Sequence, residues 1–553
     1  MKIKFVLLPL CLGAIAAQAQ TNPTSRDPWK WPFSWDSIWN VPIGASADLS
    51  KSAGFSDASK NGYANFDDPN INNYGAGTGG VWVGFDPESL YKSSNSDPKT
   101  NVYLYYEWPR RAYLSPNGYN AYGAWQHYNY PIRFPSNITV PDAAGGSTPN
   151  NCTAILTPDA KGIIQSYAFA RLSQGSDIFC ELWPTKQVWS IYSNGIEGGH
   201  YGSGLSTLGG SIRKGEISDS NTDEWAIRHA VKIELWAKRF YSYNTTLVQP
   251  GYSYATPGYR WPGTKADAYA NADTYRGVIP ELCEGTLLAL PANVSISSLG
   301  IQTLAGKKLF HAMQDYGAYI CDDTAWDAVQ FGAEAGVESL VSGWGYRNAG
   351  AFRSDVIKMV SNLRIVKNNS PSAIGGGGAW RRAGAPGFTA GTVANLVVNG
   401  GFEYDQGRTS DAWNWGKWSP NNSYNGASYV EPAVAPSTQG TYCSTHYSGT
   451  GGYSVWTSTS VYGLTKSSDS QRLYKLTARC RRGGSADSCL MQVKTLNNST
   501  ILASTSIPLN SAWTTVTIDN IEITQGACVV GFWTGNGSAN SWVNFDDVQL
   551  IRK

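Results

Sequence analysis

"HAVKIELWA" (His229–Ala237) decides the fold. His229, Val231, Ile233, Leu235 and Ala237 fall on one side of an extended chain, the period-two pattern of a strand with one buried face. Working outward, "NVYLYYEW" (Asn101–Trp108) and "GIIQSYAFARL" (Gly162–Leu172) carry the same alternation. Two segments break it with helical spacing. In Thr303–Tyr316 the apolar positions are Leu304, Leu309, Ala312, Met313 and Tyr316; in Phe352–Val366 they are Phe352, Val356, Met359, Val360 and Leu363. Strands joined by long loops, with few helices, imply an all-β protein. We expect a large β-sandwich or jelly-roll-like domain with a few peripheral helices, then a smaller β-jelly-roll module. The boundary is "NNSPSAIGGGGAWRRAGAPGFTAGTVAN" (Asn368–Asn395), which is Gly-, Ser- and Pro-rich and without periodicity. The expected division is a leader over 1–19, a catalytic β-sandwich domain over 20–367, a linker over 368–394 and a second module over 395–553.

The leader reads from its chemistry. Lys2 and Lys4 precede an apolar run from Phe5 to Ala17, and Ala17-Gln18-Ala19 is a small-residue cleavage site. The run is too short to span a bilayer, so a secreted or periplasmic protein is expected, with no membrane partner. Apart from Cys11 in the leader, the cysteines divide four and four: Cys152, Cys180, Cys283 and Cys321, then Cys443, Cys480, Cys489 and Cys528. Even numbers in an exported chain predict disulfides, with Cys480–Cys489 a natural pair across a hairpin. No C-x-x-C spacing occurs and no histidine stands at zinc-finger distance, so structural zinc is not expected. Lys and Arg number 43 against 41 Asp and Glu, with two of the lysines in the leader. That balance offers no basic field to nucleic acid. Aromatic residues reach 13%, with 22 Trp and 32 Tyr, more than a core alone calls for in a chain whose grooves would stack on sugars.

The chemistry centres on "GGHYGSGLSTLGGSIRKGEI" (Gly198–Ile217). No lysine follows the glycines at Walker spacing, no βαβ setting surrounds them, and Ser203 lacks the outer glycines of a nucleophile elbow. What remains is a glycine-rich crossing beside a groove, with His200 at its rim and Arg213 and Glu216 at its end. Glu181 lies upstream in "SDIFCELWP", His229 follows in "IRHAVKIEL", and Asp322 lies in "DYGAYICDDTAWD". Carboxylates with a neighbouring arginine or histidine and aromatic walls are the apparatus of glycosidic cleavage. The catalytic candidates are therefore Glu181, Glu216, His229, Asp322 and Arg213. His200, Tyr259, Trp261 and Tyr319 are candidates for substrate contact.

From Asn395 onward, "NLVVNGGFE" and "WVNFDDVQLIRK" open and close an alternating domain. These signatures resemble the family 4/9 β-jelly-roll carbohydrate-binding modules. The resemblance implies sugar binding and a structural calcium on Glu403 and Asp547; among the tryptophans clustered in the domain, Trp415, Trp418 and Trp456 are the candidates for aromatic contact. Oxygen-only ligands suit that ion. No cofactor is expected for catalysis. "SIWNVPIGAS", "FCELWP", "GGSIRKGEI…IRHAVKIEL" and "LFHAMQDYGAYICDD" together resemble a widespread group of exported bacterial proteins, which implies one domain over that region and no particular reaction. The leading expectation is a monomeric glycoside hydrolase acting on a polysaccharide and tethered by its C-terminal module. The alternatives are a lyase acting on a uronate polymer, using His229 or Tyr319 as base, and a non-catalytic lectin or matrix protein.

Overall fold

The computed structural model describes residues 22–55, 81–104, 126–140, 151–171, 173–180, 187–324, 326–344, 350–423, 425–433, 440–464 and 473–553. The expected leader and Glu181 lie outside the described residues. The first part is built on one ten-stranded mixed sheet. Six of its strands carry the site: β1 (Trp82–Lys92), β2 (Cys152–Leu156), β3 (Gly162–Tyr167), β4 (Val231–Leu235), β5 (Ala318–Asp323) and β6 (Ala328–Glu334). Their spatial order is β5-β4-β6-β1-β2-β3. Strands Leu287–Ala289, Arg364–Ile365 and Lys51–Ser52 extend the β5 edge, and Trp189–Ser190 extends the β3 edge. The pairs β5/β4, β6/β1 and β1/β2 are parallel, and β6/β4 and β2/β3 are antiparallel.

Register sorts the side chains onto two faces. Val231, Ile233 and Leu235 of β4, Val83 and Phe85 of β1, and Val329, Phe331 and Ala333 of β6 form one apolar face. The helices Leu304–Asp315 and Ala351–Val360 cover it with Leu309, Met313, Phe352, Val356 and Met359. Both helices lie where the 3.6-residue spacing predicts, and the second stops before Leu363 because Arg364–Ile365 pairs as a strand. Thr303 caps the first, its Oγ1 accepting from the Gly306 N–H at 2.9 Å. No described helix is long and apolar enough to cross a membrane.

The C-terminal module is a sandwich of two five-stranded sheets. One runs Gly416–Trp418, Tyr453–Val461, Cys528–Gly537, Ser488–Lys494, Ile501–Ser506; the other runs Ser428–Pro432, Tyr442–Tyr447, Trp542–Arg552, Leu473–Gly483, Thr514–Glu522. The molecule is all-β with few helices, as its alternation predicts. The expected disulfides are a correction: all eight cysteines outside the leader are buried thiols, and none is bridged. Cys480 and Cys489 do not face each other across a hairpin ladder. Cys480 pairs with Phe545 and Thr514 in one sheet, whereas Cys489 pairs with Thr534 in the other.

The Gly-rich segment 368–394 is laid along the first part. Arg381 donates to the Leu290 and Gln314 carbonyls, Arg382 pairs with Asp315 at 2.6 Å, and Arg26 stacks on Phe388. Beyond it the two parts meet directly. Ser190 Oγ donates to the Asn395 carbonyl at 2.9 Å, the Asn194 N–H donates to the Gly463 carbonyl, and Arg552 pairs with Asp36 at 2.7 Å.

Candidate active site

The second face of the sheet is polar and covered. Asp86 and Glu88 alternate on β1 opposite Val83 and Phe85, and Lys232 and Glu234 alternate on β4 opposite Val231 and Ile233. Past a bulge in β5, Asp322 pairs with Glu234. The glycine-rich crossing runs over these residues and keeps water from most of them. Its Ser203 Oγ donates to the Cys321 carbonyl at 2.7 Å, and its Ser206 Oγ donates to Gln165 of β3 at 2.8 Å. Gly202 lets the backbone pass: a Cβ there would stand 2.7 Å from Asp322 Oδ1 and 3.1 Å from Glu284 Oε1.

A buried charge network lies beneath the crossing. Lys232 Nζ and Ser211 Oγ both donate to Glu88, and Lys232 also donates to the Thr207 carbonyl at 2.6 Å. His200 is 1% exposed, so it stands at the centre of the cluster and not at a rim. Its Nε2 meets Glu88 Oε1 at 2.8 Å; its Nδ1 lies 3.3 Å from Asp322 Oδ2 and 3.5 Å from Cys152 Sγ. Gly332 opens the space for this pair, since a Cβ there would meet the Lys232 stem and the Glu88 carboxylate within 2.8 Å. Burial alone would raise the Glu88 carboxyl, but Lys232 and His200 hold it below the usual range. Burial opposes a charge on His200 as well, yet Cys152 and Asp322 hold it well above ordinary imidazole. Burial pushes the Cys152 thiol up to about 12.

Around this network the other carboxyls shift upward. Burial, then Glu88, pushes Asp86 up to about 7; burial, then Asp322, pushes Asp267 up to about 7. Burial, reinforced by Asp86 and Asp267 respectively, puts Glu234 and Glu284 well above the carboxylate range. Asp267, Glu284 and Asp322 each place an oxygen within 4.8 Å of the other two. Tyr275 donates to Asp267 at 2.8 Å, and Glu284 Oε2 is buried without a hydrogen-bond partner. Asp86 and Asp267 are half-buried and the Asp322 side chain is 20% exposed, so these three are the members that solvent reaches.

Of the catalytic candidates from sequence, Asp322 alone sits in this cluster among the described residues. Glu216 instead closes a capping box: its Oε2 accepts from the Arg213 N–H at 2.8 Å and meets His229 Nε2 at 3.2 Å. His229 Nδ1 donates to the Ala230 carbonyl, and the buried Arg213 lies over Trp29 and donates to the Leu208 carbonyl. Those three residues anchor the exit of the crossing. Tyr319 is fully buried edge-on against Trp39, which removes it from substrate contact. Tyr259 and Trp261 are half-buried on the loop beside Tyr252. Asp86, Glu88, Lys232, Glu234 and Glu284 were not singled out from sequence. Charged residues two apart on strands whose opposite face is apolar were the available signal.

In the C-terminal module Trp415 is core, packed on Phe402 with its Nε1 donating to the Asn399 carbonyl at 3.0 Å, and so it is withdrawn from any sugar platform. Trp456 is buried beneath Lys494, whose Nζ stands 4.0 Å from the ring centroid. Trp418 is 53% exposed, with Trp533 6.3 Å away. Glu403 Oε1 accepts from the Thr441 and Tyr442 N–H groups, and burial together with nearby Asp547 raises its carboxyl.

No family model matches the chain, and no curated protein matches it. Solved structures match parts of it. TmCBM61 in complex with beta-1,4-galactotriose is 20% identical over 29% of this chain and 99% of its own, with a TM-score of 0.23. A cyclase from Fischerella sp. TAU is 16% identical over 28% of this chain and 96% of its own, TM-score 0.24. Arabinose-bound MgGH51 α-L-arabinofuranosidase is 18% identical over 29% of this chain and 26% of its own, TM-score 0.23. A binding module, a cyclase and a glycosidase at such scores carry no argument about what this chain does.

Proposed function

We propose that this chain cleaves a polysaccharide by acid–base chemistry at the covered polar face, and that its C-terminal module holds it on the substrate. One observation carries the reading: carboxyls at the solvent-reached edge of a buried charge network, with Asp86 and Asp267 pushed up to about 7 beside Asp322. A carboxyl raised in this way keeps a proton to give to a leaving oxygen, and a second carboxyl across the bond completes the pair that glycosidic cleavage uses. Asp86 gives its proton to the leaving glycosidic oxygen. Asp322, oriented by His200, acts as base or nucleophile on the opposite side. Hydrolysis is favoured over elimination because the groups a lyase would use are engaged elsewhere, His229 with Glu216 and Tyr319 in the core. The exposed Trp418 supports sugar stacking, and Glu403 with Asp547 would hold a calcium that ties the module's ends together.

The test is release of reducing ends from a polysaccharide panel, with product masses. Asp86→Asn and Asp322→Asn should each lower the rate by about 10²-fold or more while the proteins still melt cooperatively. Products lacking the elements of water would select elimination. Polysaccharide binding by wild type with no product on any substrate would establish the lectin reading instead.

A further inference from the structure

Cys152 has no role in the proposed acid–base cleavage, yet it is grouped with His200 and Asp322. Cys152 Sγ, His200 Nδ1 and an Asp322 oxygen lie within 4.8 Å of one another. The Sγ···Nδ1 separation is 3.5 Å and Nδ1···Oδ2 is 3.3 Å. Tetrahedral zinc with its ordinary bond lengths has an S···N edge of about 3.5 Å and an N···O edge of about 3.3 Å. A second, independent feature points the same way. The far ring nitrogen of His200 meets Glu88 Oε1 at 2.8 Å, the carboxylate–histidine arrangement that fixes the tautomer of a metal-binding imidazole. Glu88 is itself held by Lys232 and Ser211, so the imidazole cannot turn away.

We infer that Cys152, His200 and Asp322 form a zinc site with its fourth position open toward solvent. A sulfur–nitrogen–oxygen set of this kind suits Zn2+ and not the hard cations. Binding expels the Cys152 thiol proton and the His200 Nδ1 proton, and the resulting thiolate and the Asp322 carboxylate together neutralise the dication. The nearest cation, Lys232, stands behind Nε2 and is matched by Glu88. Cys152 and His200 are buried, whereas the Asp322 side chain is partly exposed, so the metal enters past Asp322. The ligands come from β2, the glycine-rich crossing and the end of β5, which is why no short-range spacing announces them. The site rests on the same Asp322 and His200 as the proposed reaction but is tested without substrate, so either reading can fail alone.

The full-length chain, purified without chelator, should carry about one zinc per chain by mass spectrometry. Cobalt added to the chelated protein should give tetrahedral visible bands and a thiolate-to-metal charge-transfer band in the near ultraviolet. Cys152→Ser should abolish that band and lose most of the zinc. Should Cys152→Ser fail to fold, the cobalt spectrum of the wild-type chain decides: no thiolate band overturns the site. Full zinc retention in folded Cys152→Ser also overturns it. So does calcium in place of zinc, which would put the ion on the oxygen-only set Asp267, Glu284 and Asp322.

Discussion

His446 shows how far a single side chain can report on its surroundings. It is fully buried in the C-terminal module, with Nδ1 2.9 Å from Thr534 Oγ1 and Nε2 2.9 Å from Thr457 Oγ1. Burial holds it neutral, down to about 3 from an ordinary 6.5. As pH falls through 6.5 the unfolded chain takes up a proton that the folded chain refuses, so the stability this group supports is full above 6.5 and drains away below it. The linkage is about 1.4 kcal/mol per pH unit. His446→Gln keeps a donor and an acceptor but cannot titrate. The gap in urea midpoint between wild type and this variant should therefore narrow steadily from pH 6.5 to 5; a constant gap would refute a neutral His446. At the same scale the sequence hid the centre of the site. Asp322 could be read from its acidic run, whereas Glu88 and Lys232 looked like the wet side of two strands. Alternation reveals that a strand has two faces, but not that the polar one will be roofed.

The roof is the glycine-rich crossing, and its glycines do different work. Gly204 and Gly210 have φ of 75° and 71°, where a side chain would strain the backbone. Gly202 has no such φ; its constraint is the pair of carboxylates beneath it. Gly202→Ala should thus leave the melting temperature little changed while moving Asp322 and Glu284, with reducing-end release falling about tenfold, since small displacements of catalytic groups are costly. Gly215, which has nothing within 4 Å of its missing Cβ, is the control: Gly215→Ala should keep full activity. Equal activity in both variants would show that Gly202 does not set the position of Asp322. That a glycine-rich element passes close beside charged groups was legible in the sequence. Its contents were not, because Arg213 and Glu216 look catalytic in a string and in space cap a helix of four residues.

For the whole molecule the question is why a covered acidic face and a β-sandwich share one chain. The module does not swing on the Gly-rich segment. Besides the Arg552–Asp36 pair, the Arg133 N–H donates to Tyr404 Oη at 2.7 Å and Lys99 pairs with Asp405 at 2.8 Å. Between the parts lies a cavity of about 450 Å³ walled by Trp35, Tyr192, Phe388, Leu464 and Tyr474. A module fixed in this way presents the exposed ring of Trp418 in one orientation relative to the covered polar face, and under the proposed function its contribution is local concentration, not chemistry. Trp418→Ala should then lower retention on insoluble polysaccharide, by a factor that corresponds to about 1–3 kcal/mol if one ring supplies one stacking contact. It should leave turnover of a short soluble oligosaccharide unchanged, because such a substrate reaches the Asp86–Asp322 edge without the module. Retention equal to wild type would remove Trp418 from the sugar surface. Loss of turnover on the soluble substrate as well would mean that the module, packed directly on the first part, takes part in the reaction.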